Sequence, residues 1–244
     1  MITLDNTEVL GWEHAIRGMR NPMNSWDRSD TGWVDCDLCD DARHRDVLEL
    51  DFDNLREKVI GPNDHELMMK LAKGGAVHAK YRRMIAVYVD IKAPLYWWKE
   101  FDTYKVGTVA NSCSTMHKVH AKEFELGDFS CEKLARPALT PLIHTISLLN
   151  VYRELFVNWD NKDDNTKNGL LVGLDIDCGY NKKMAWEQMI QLLPSSYNQL
   201  RTVMLNYEVL RNIYISRKNH KLDEWREFCA WIEKLPYSEI ITLE

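Results

Sequence analysis

No stretch of this 244-residue chain comes near the roughly 18 consecutive apolar residues that a membrane-spanning helix requires. A helical membrane protein is therefore not expected. The opening residues, MITLDNTEVLGW, lack the basic region and apolar core of a secretory signal. The expected location is cytoplasmic. Positive charge is in deficit: 31 Lys and Arg against 37 Asp and Glu leave a net charge of −6. That argues against a broad face for a nucleic-acid polymer and leaves room only for a local basic pocket. The six cysteines are scattered, which without a signal peptide reads as free thiols in a reducing compartment. Cys36 and Cys39 form a C-x-x-C with His44 shortly after, and thiolate and imidazole suit zinc. The usual second pair of ligands is missing, however, and Asp35, Asp37, Asp40 and Asp41 surround the motif. Zinc ligands and a solvated acidic loop both remain open, and no metal ligand is assigned. There is also no internal repeat, low-complexity tract or long linker, so one helix-rich α+β domain over residues 1–244, built on a mixed or antiparallel sheet, is the simplest reading.

What is present is an ordinary globular balance, 45% apolar and 28% charged, with nine tryptophans and ten tyrosines to fill a core or an interface. The patterning predicts a helix over Thr7–Met19 and a turn-rich stretch from Arg20 to Asp30. A loop at Asp35–Asp46 and a short strand at Leu48–Phe52 follow. Asp64–Lys73 reads as a helix stopped by Gly74 and Gly75, and Met84–Val89 as a buried strand. Pro94 then opens a short aromatic helix carrying Tyr96, Trp97, Trp98 and Phe101. Apolar residues from Leu142 to Phe156 recur at helical spacing within a predicted helix Leu139–Trp159, followed by a charged loop, Asp160–Lys167. Helices are expected at Lys182–Leu193, Thr202–Ile215 and Leu222–Lys234.

Three regions carry candidate chemistry. Thr103–Thr115 is a polar segment thrown out of the aromatic helix, where Lys105, Thr108, Asn111, Ser112 and Ser114 offer one cation and several small hydrogen-bonding groups. Cys113 lies among them, but no histidine is near enough in sequence to activate it, so it reads as a non-catalytic thiol. His78, between two glycines and a strand, is either a ligand contact or a half-exposed turn histidine, with Arg82 and Arg83 adding charge beside it. Asn206, Asn212, Arg217, Asn219 and His220 share no single helical face, and Arg217 is either a surface charge or an anion contact at a helix end.

Taken in order, these segments resemble the flavin-dependent thymidylate synthases. That family carries G-H-E-x-x-x-x-E-H, then a strand, then V-K-A-P. Here GGAVHAKYRRMIAVYVDIKAP places His78 at the first histidine and Met84 at the second. The family's R-H-R-x-x-S-x-N-E-x-S-x-R-Y corresponds to TYKVGTVANSCSTMH, allowing one inserted residue before Asn111. Lys105 stands for the second arginine, Thr108 for the first serine, Asn111 for the asparagine and Ser114 for the second serine. Thr103, Tyr104, Ser112, Met116 and His117 replace other signature residues. The later L-P turn and N-x-R-x-L-x-N helix match Leu193, Pro194, Asn206, Leu210, Asn212 and Arg217, with Glu208 where the family has arginine. A family arginine before the L-P turn is missing near Ile190 and Gln191.

The resemblance implies a homotetramer that binds FAD and dUMP, with NADPH as reductant and methylenetetrahydrofolate as one-carbon donor. It implies His78, Lys105, Asn206 and Asn212 as FAD contacts. Thr108, Asn111, Ser114 and Arg217 would bind nucleotide, and Arg217 would also promote ionisation of the pyrimidine. Because Lys105 replaces a bidentate arginine with a point charge and Met116 cannot pair with an anion, nucleotide binding should be weakened unless Arg82, Arg83 or Lys118 compensates. Three functions follow: a divergent thymidylate synthase, a non-catalytic nucleotide- or flavin-binding protein, or a zinc-stabilised variant.

Overall fold

The computed structural model describes residues 2–35, 47–51, 53–161, 167, 169, 171, 173–174 and 179–243. Cys36, Cys39 and His44, and with them the zinc question, lie outside the described residues. The architecture is α+β and helix-rich, as expected. Strands are β1 (Thr3–Leu10), β2 (Gly32–Asp35), β3 (Val47–Asp51), β4 (Arg56–Val59), β5 (Ala86–Pro94), β6 (Val109–Ser112) and β7 (Asn198–Asn206). Helices are α1 (Trp12–Arg20), α2 (Pro62–Lys73), α3 (Leu95–Phe101), α4 (Arg136–Val157), α5 (Lys182–Leu192), α6 (Tyr207–Arg217), α7 (Asp223–Ile232) and α8 (Glu239–Thr242). One sheet has the order β1-β5-β7-β6; the other, β2-β4-β3, is antiparallel throughout.

Two compact units emerge, one of Lys92–Glu100 and Ser112–Arg201, the other of Ile2–Ile91, Phe101–Asn111 and Thr202–Glu244. The first is organised by α4 and α5. Leu142, Ile146 and Leu149 of α4 bury with Val119, Phe124, Phe129 and Met189, as the helical spacing predicts. The second is built on β5, whose Val87, Val89 and Ile91 are buried while Tyr88 between them is exposed. That alternation is the period-2 pattern of a strand with one covered face. Asp90 accepts hydrogen bonds from Asn6 of β1 (2.8 Å) and Thr202 of β7 (2.5 Å), tying both flanking strands to β5.

Two boundaries differ from the sequence reading. The expected helix Thr7–Met19 is the end of β1 followed by α1, and the break is Gly11, at φ +94°. A β-carbon there would lie 2.2 Å from the carbonyl oxygen of Met84, so only glycine fits. The expected helix Thr202–Ile215 is likewise strand up to Asn206 and helix from Tyr207. Val203 and Leu205 are buried on alternate positions while Leu210 and Ile213 continue at helical spacing, so a single apolar run hides a change of period. Smaller shifts occur elsewhere. Pro94 ends β5 rather than opening α3, and the polar segment after α3 contains β6.

Candidate functional site

Helix α6 organises the candidate site in the second unit. Asn206 is its N-cap: Oδ1 accepts from the backbone N–H of Glu208 (3.1 Å) and Val209 (3.0 Å), satisfying donors that a helix start leaves open. Its Nδ2 faces the loop after α3. Gly107 sits at φ +80°, and a β-carbon on it would lie 2.8 Å from that Nδ2. Glycine therefore lets the loop approach the helix start. The oxygen of Asn206 is committed to the fold, and only its amino group is left to meet a ligand. Asn206→Ala is expected to cost about 1 kcal/mol of stability, whereas Asn206→Asp, which keeps the cap, should cost little; urea denaturation of the two variants checks this.

The same loop is held at the other end of α6. Arg217 Nε donates to the Tyr104 hydroxyl at 2.9 Å. The guanidinium carbon lies 4.7 Å from the centre of the Trp225 ring of α7 and 5.7 Å from that of Tyr104. Such cation–π contacts are each worth about 0.5–2 kcal/mol. Arg217 is thus neither a free surface charge nor a buried one: it packs against two rings. Trp225, which meets Tyr104 edge to face at 6.0 Å, escaped the sequence reading. Tyr104 entered it only as a replaced signature residue beside Lys105.

Between these two anchor points the chain turns outward. Lys105 and Val106 are exposed. Thr108 is half-buried, and its hydroxyl oxygen is buried without a hydrogen-bond partner among the described residues. Asn111, on β6, and Asn212, on α6, are exposed. His78 is exposed too, in the turn after α2, where its ring packs over Gly74 and its backbone N–H bonds to the Gly75 carbonyl at 3.0 Å. No hydrogen bond joins the side chains of His78, Lys105 and Asn212 to one another among the described residues. The structure thus brings the Lys105–Thr108 loop together with Asn206 and Arg217. His78 and Asn212 stand apart from that cluster in hydrogen bonding.

Arg82, considered above as a neutraliser of an anion, has a structural role. It is fully buried, donating from Nη1 to Glu208 (3.3 Å) and from Nη2 to the Ala72 carbonyl (3.2 Å). Arg83 and Lys118 are exposed. Arg211 turns inward to the carbonyls of Ile241 and Leu243.

Ser114 belongs to the first unit. Its hydroxyl accepts from the backbone N–H of Met116 (3.2 Å) and His117 (2.9 Å), closing a tight turn and leaving its own hydrogen to donate. Trp186 of α5 pins that turn through a 2.7 Å bond to the Met116 carbonyl. Cys113 is exposed, with its carbonyl bonded to Gln199 (2.7 Å).

No family model and no curated protein matches the chain. Solved structures do. A thymidylate synthase X from Helicobacter pylori, crystallised with FAD and dUMP, is 15% identical, with a TM-score of 0.58 over 100% of this chain and 98% of that one. A second structure of the Helicobacter pylori enzyme with the same ligands has a TM-score of 0.57 at 15% identity, over 100% of this chain and 97% of that one. The fold is that of the flavin-dependent thymidylate synthases. A UMP/dUMP methylase, PolB, from Streptomyces cacaoi, bound with 5-Br UMP, is 12% identical with a TM-score of 0.51, covering 99% of this chain and 94% of that one. At such identities the likeness establishes the thymidylate synthase X fold and nothing finer.

Proposed function

We propose that this chain is a divergent flavin-dependent nucleotide methylase that binds FAD and a uridine monophosphate. The observation that carries the reading is the loop Lys105–Thr108 held against both ends of α6 by Asn206 and Arg217, on a fold whose solved examples hold FAD and dUMP. The residues present fit a phosphate-bearing flavin nucleotide. Lys105 supplies an exposed cation and the Asn206 amino group a donor. Those two would hold the cofactor, with His78 and Asn212 completing its contacts. Bound and reduced by NADPH, FAD would supply the hydride that turns a one-carbon unit from methylenetetrahydrofolate into a methyl group.

The chain's own task is positioning and charge. Arg217, packed against Tyr104 and Trp225, would stabilise the ionised pyrimidine ring and so act as the catalytic residue. Asn111 and Thr108 would bind nucleotide, and Ser114 takes that role on the motif alone. Residues 1–244 would act as one domain within a cytoplasmic homotetramer.

Purified protein incubated with FAD is expected to turn yellow and to oxidise NADPH faster when dUMP is added. Lys105→Ala and Asn206→Asp should each reduce flavin uptake by roughly tenfold, as expected for one lost charge-assisted or buried hydrogen bond. Folded protein that takes up no FAD would overturn the proposal. The replacement of a phosphate-binding arginine by the apolar Met116 favours a second reading, nucleotide binding without turnover. Thermal stabilisation by dUMP with no tritium release from its ring would establish that reading.

A further inference from the structure

Helix α1, the turn at residues 26–31 and strand β4 enclose a cleft of about 270 Å³. This lies just below the roughly 300–1,000 Å³ of pockets for drug-sized ligands, which limits any occupant to a small molecule. Its floor is rigid. Asp64, fully buried, accepts from Arg20 Nε (2.6 Å), from the hydroxyls of Ser29 (2.7 Å) and Thr31 (2.8 Å) and from two backbone amides. Ser29, Thr31 and Arg20 all line the cleft and are locked by that carboxylate.

Arg20 is 4% exposed. Its Nε is held by Asp64 and its Nη1 by the Ser25 carbonyl, at 3.2 Å. Nη2 has no partner among the described residues, so it is the nitrogen this floor can offer a ligand. A second guanidinium stands at the wall. Arg17 is exposed, and its only side-chain hydrogen bond among the described residues is to His14 Nδ1 at 3.4 Å. The other cation of the lining, Lys58, is already neutralised by Glu13. Asp64 balances Arg20 from behind, Glu49 also lies 3.9 Å from Lys58, and Glu13 also feels the charge of Arg17, so the guanidinium heads of Arg17 and Arg20 are the cationic donors of the lining.

The remaining wall is apolar and aromatic. Ile16 is buried, and Trp26 is 50% exposed with its indole N–H satisfied by Asn21 Oδ1 at 2.8 Å. A tryptophan whose polar tip is satisfied and whose ring borders a cleft is a stacking surface. We propose that this cleft binds a small aromatic carboxylate, its ring against Trp26 and Ile16 and its carboxylate on Arg17 and the Nη2 of Arg20. Two guanidiniums lining one pocket offer the planar donor forks that a carboxylate accepts.

The probe is benzoate, followed on the full-length protein by saturation-transfer NMR, with benzamide lacking the charge and acetate lacking the ring. Saturable benzoate binding is expected. Benzamide and acetate should each bind at least fivefold more weakly. Arg17→Gln and Trp26→Leu change side chains at the protein surface and leave the Asp64 floor intact. Each should weaken benzoate by roughly tenfold, the size of one charge-assisted or stacking contact. The proposal falls if folded wild-type protein shows no saturable benzoate binding, if benzamide binds as well as benzoate, or if the double variant, melting at the wild-type temperature, binds benzoate unchanged. FAD and dUMP are absent from every arm, so the result is independent of the proposed methylase activity.

Discussion

Asp64→Ala is expected to lower the free energy of unfolding by about 3–5 kcal/mol, the range for removing one partner of a buried ion pair. The carboxylate is fully buried and accepts five hydrogen bonds, drawn from Arg20, Ser29, Asp30 and Thr31. Removing it leaves the Arg20 guanidinium, itself 4% exposed, without a counter-charge. The loss also spreads. Asp30, whose backbone N–H Asp64 holds, caps α2 by accepting from the N–H of Asn63 (2.9 Å) and Asp64 (3.1 Å). Most single domains have only about 5–15 kcal/mol of stability to lose. Urea unfolding should show the midpoint falling sharply with little change in slope. A cost below about 1 kcal/mol would mean that the network is not stabilising the fold.

The same carboxylate sets an acid limit. Burial alone would raise its pKa, but the hydrogen bonds from Ser29, Thr31 and Arg20 outweigh that, and the result lies below the ordinary aspartate value of 3.8. A carboxylate whose folded-state pKa is depressed stabilises fully above its unfolded-state pKa. That contribution is lost as the pH falls through the folded-state value. Asp64 therefore contributes its full share at neutral pH and gives it up below about pH 4. In Asp64→Asn this acid-dependent share should be missing, so the stability difference between variant and wild type should narrow as pH falls below 4.

Elements in which a single apolar period persists were legible before any coordinates. α4 kept its stripe, with Leu142, Ile146 and Leu149 inside. α2, β3 and α5 lie within one or two residues of the expected bounds. Two errors fall where period and backbone change together, at Gly11 and at Asn206; the short strands β2, β4 and β6, four residues each, carried too little alternation to be read at all. Asn206 is the instructive one. Read as a cofactor contact, it is first a helix cap, and an asparagine followed by an apolar run is itself a helix-start signal. Of the candidate residues, Lys105 and Arg217 could be picked out from residue type and spacing. The ring partners of Arg217 could not: Tyr104 lies 113 positions away and Trp225 sits on the next helix, and a cation–π contact between separate elements leaves no local pattern. Arg82 and Glu208 were invisible as a pair for the same reason.

That pair carries the second large effect. Glu208→Ala should destabilise the protein by about 3–5 kcal/mol, because Arg82 is fully buried and loses its only carboxylate among the described residues. Two further features sharpen the cost. Nε of Arg82 is already buried without a hydrogen bond among the described residues, so no slack remains in the site. Arg211 lies close enough that burial first, and the charge of Arg82 second, push its pKa down, while Glu208 pulls it back up. Without Glu208 the two guanidiniums lose the carboxylate that offsets their mutual repulsion. Glu208 also sits in the first turn of α6, where a negative charge favours the helix. Glu208→Gln keeps an acceptor for Arg82 and should cost less, about 1.5–3 kcal/mol, the worth of a charged hydrogen bond. The decisive arm is the double variant Arg82→Met/Glu208→Leu. It removes both charges and fills the space with apolar atoms, and a buried pair treated this way often costs nothing. Recovery of most of the Glu208→Ala loss in that variant would show that the unpaired charge, rather than lost packing, sets the penalty; equal destabilisation would point to packing.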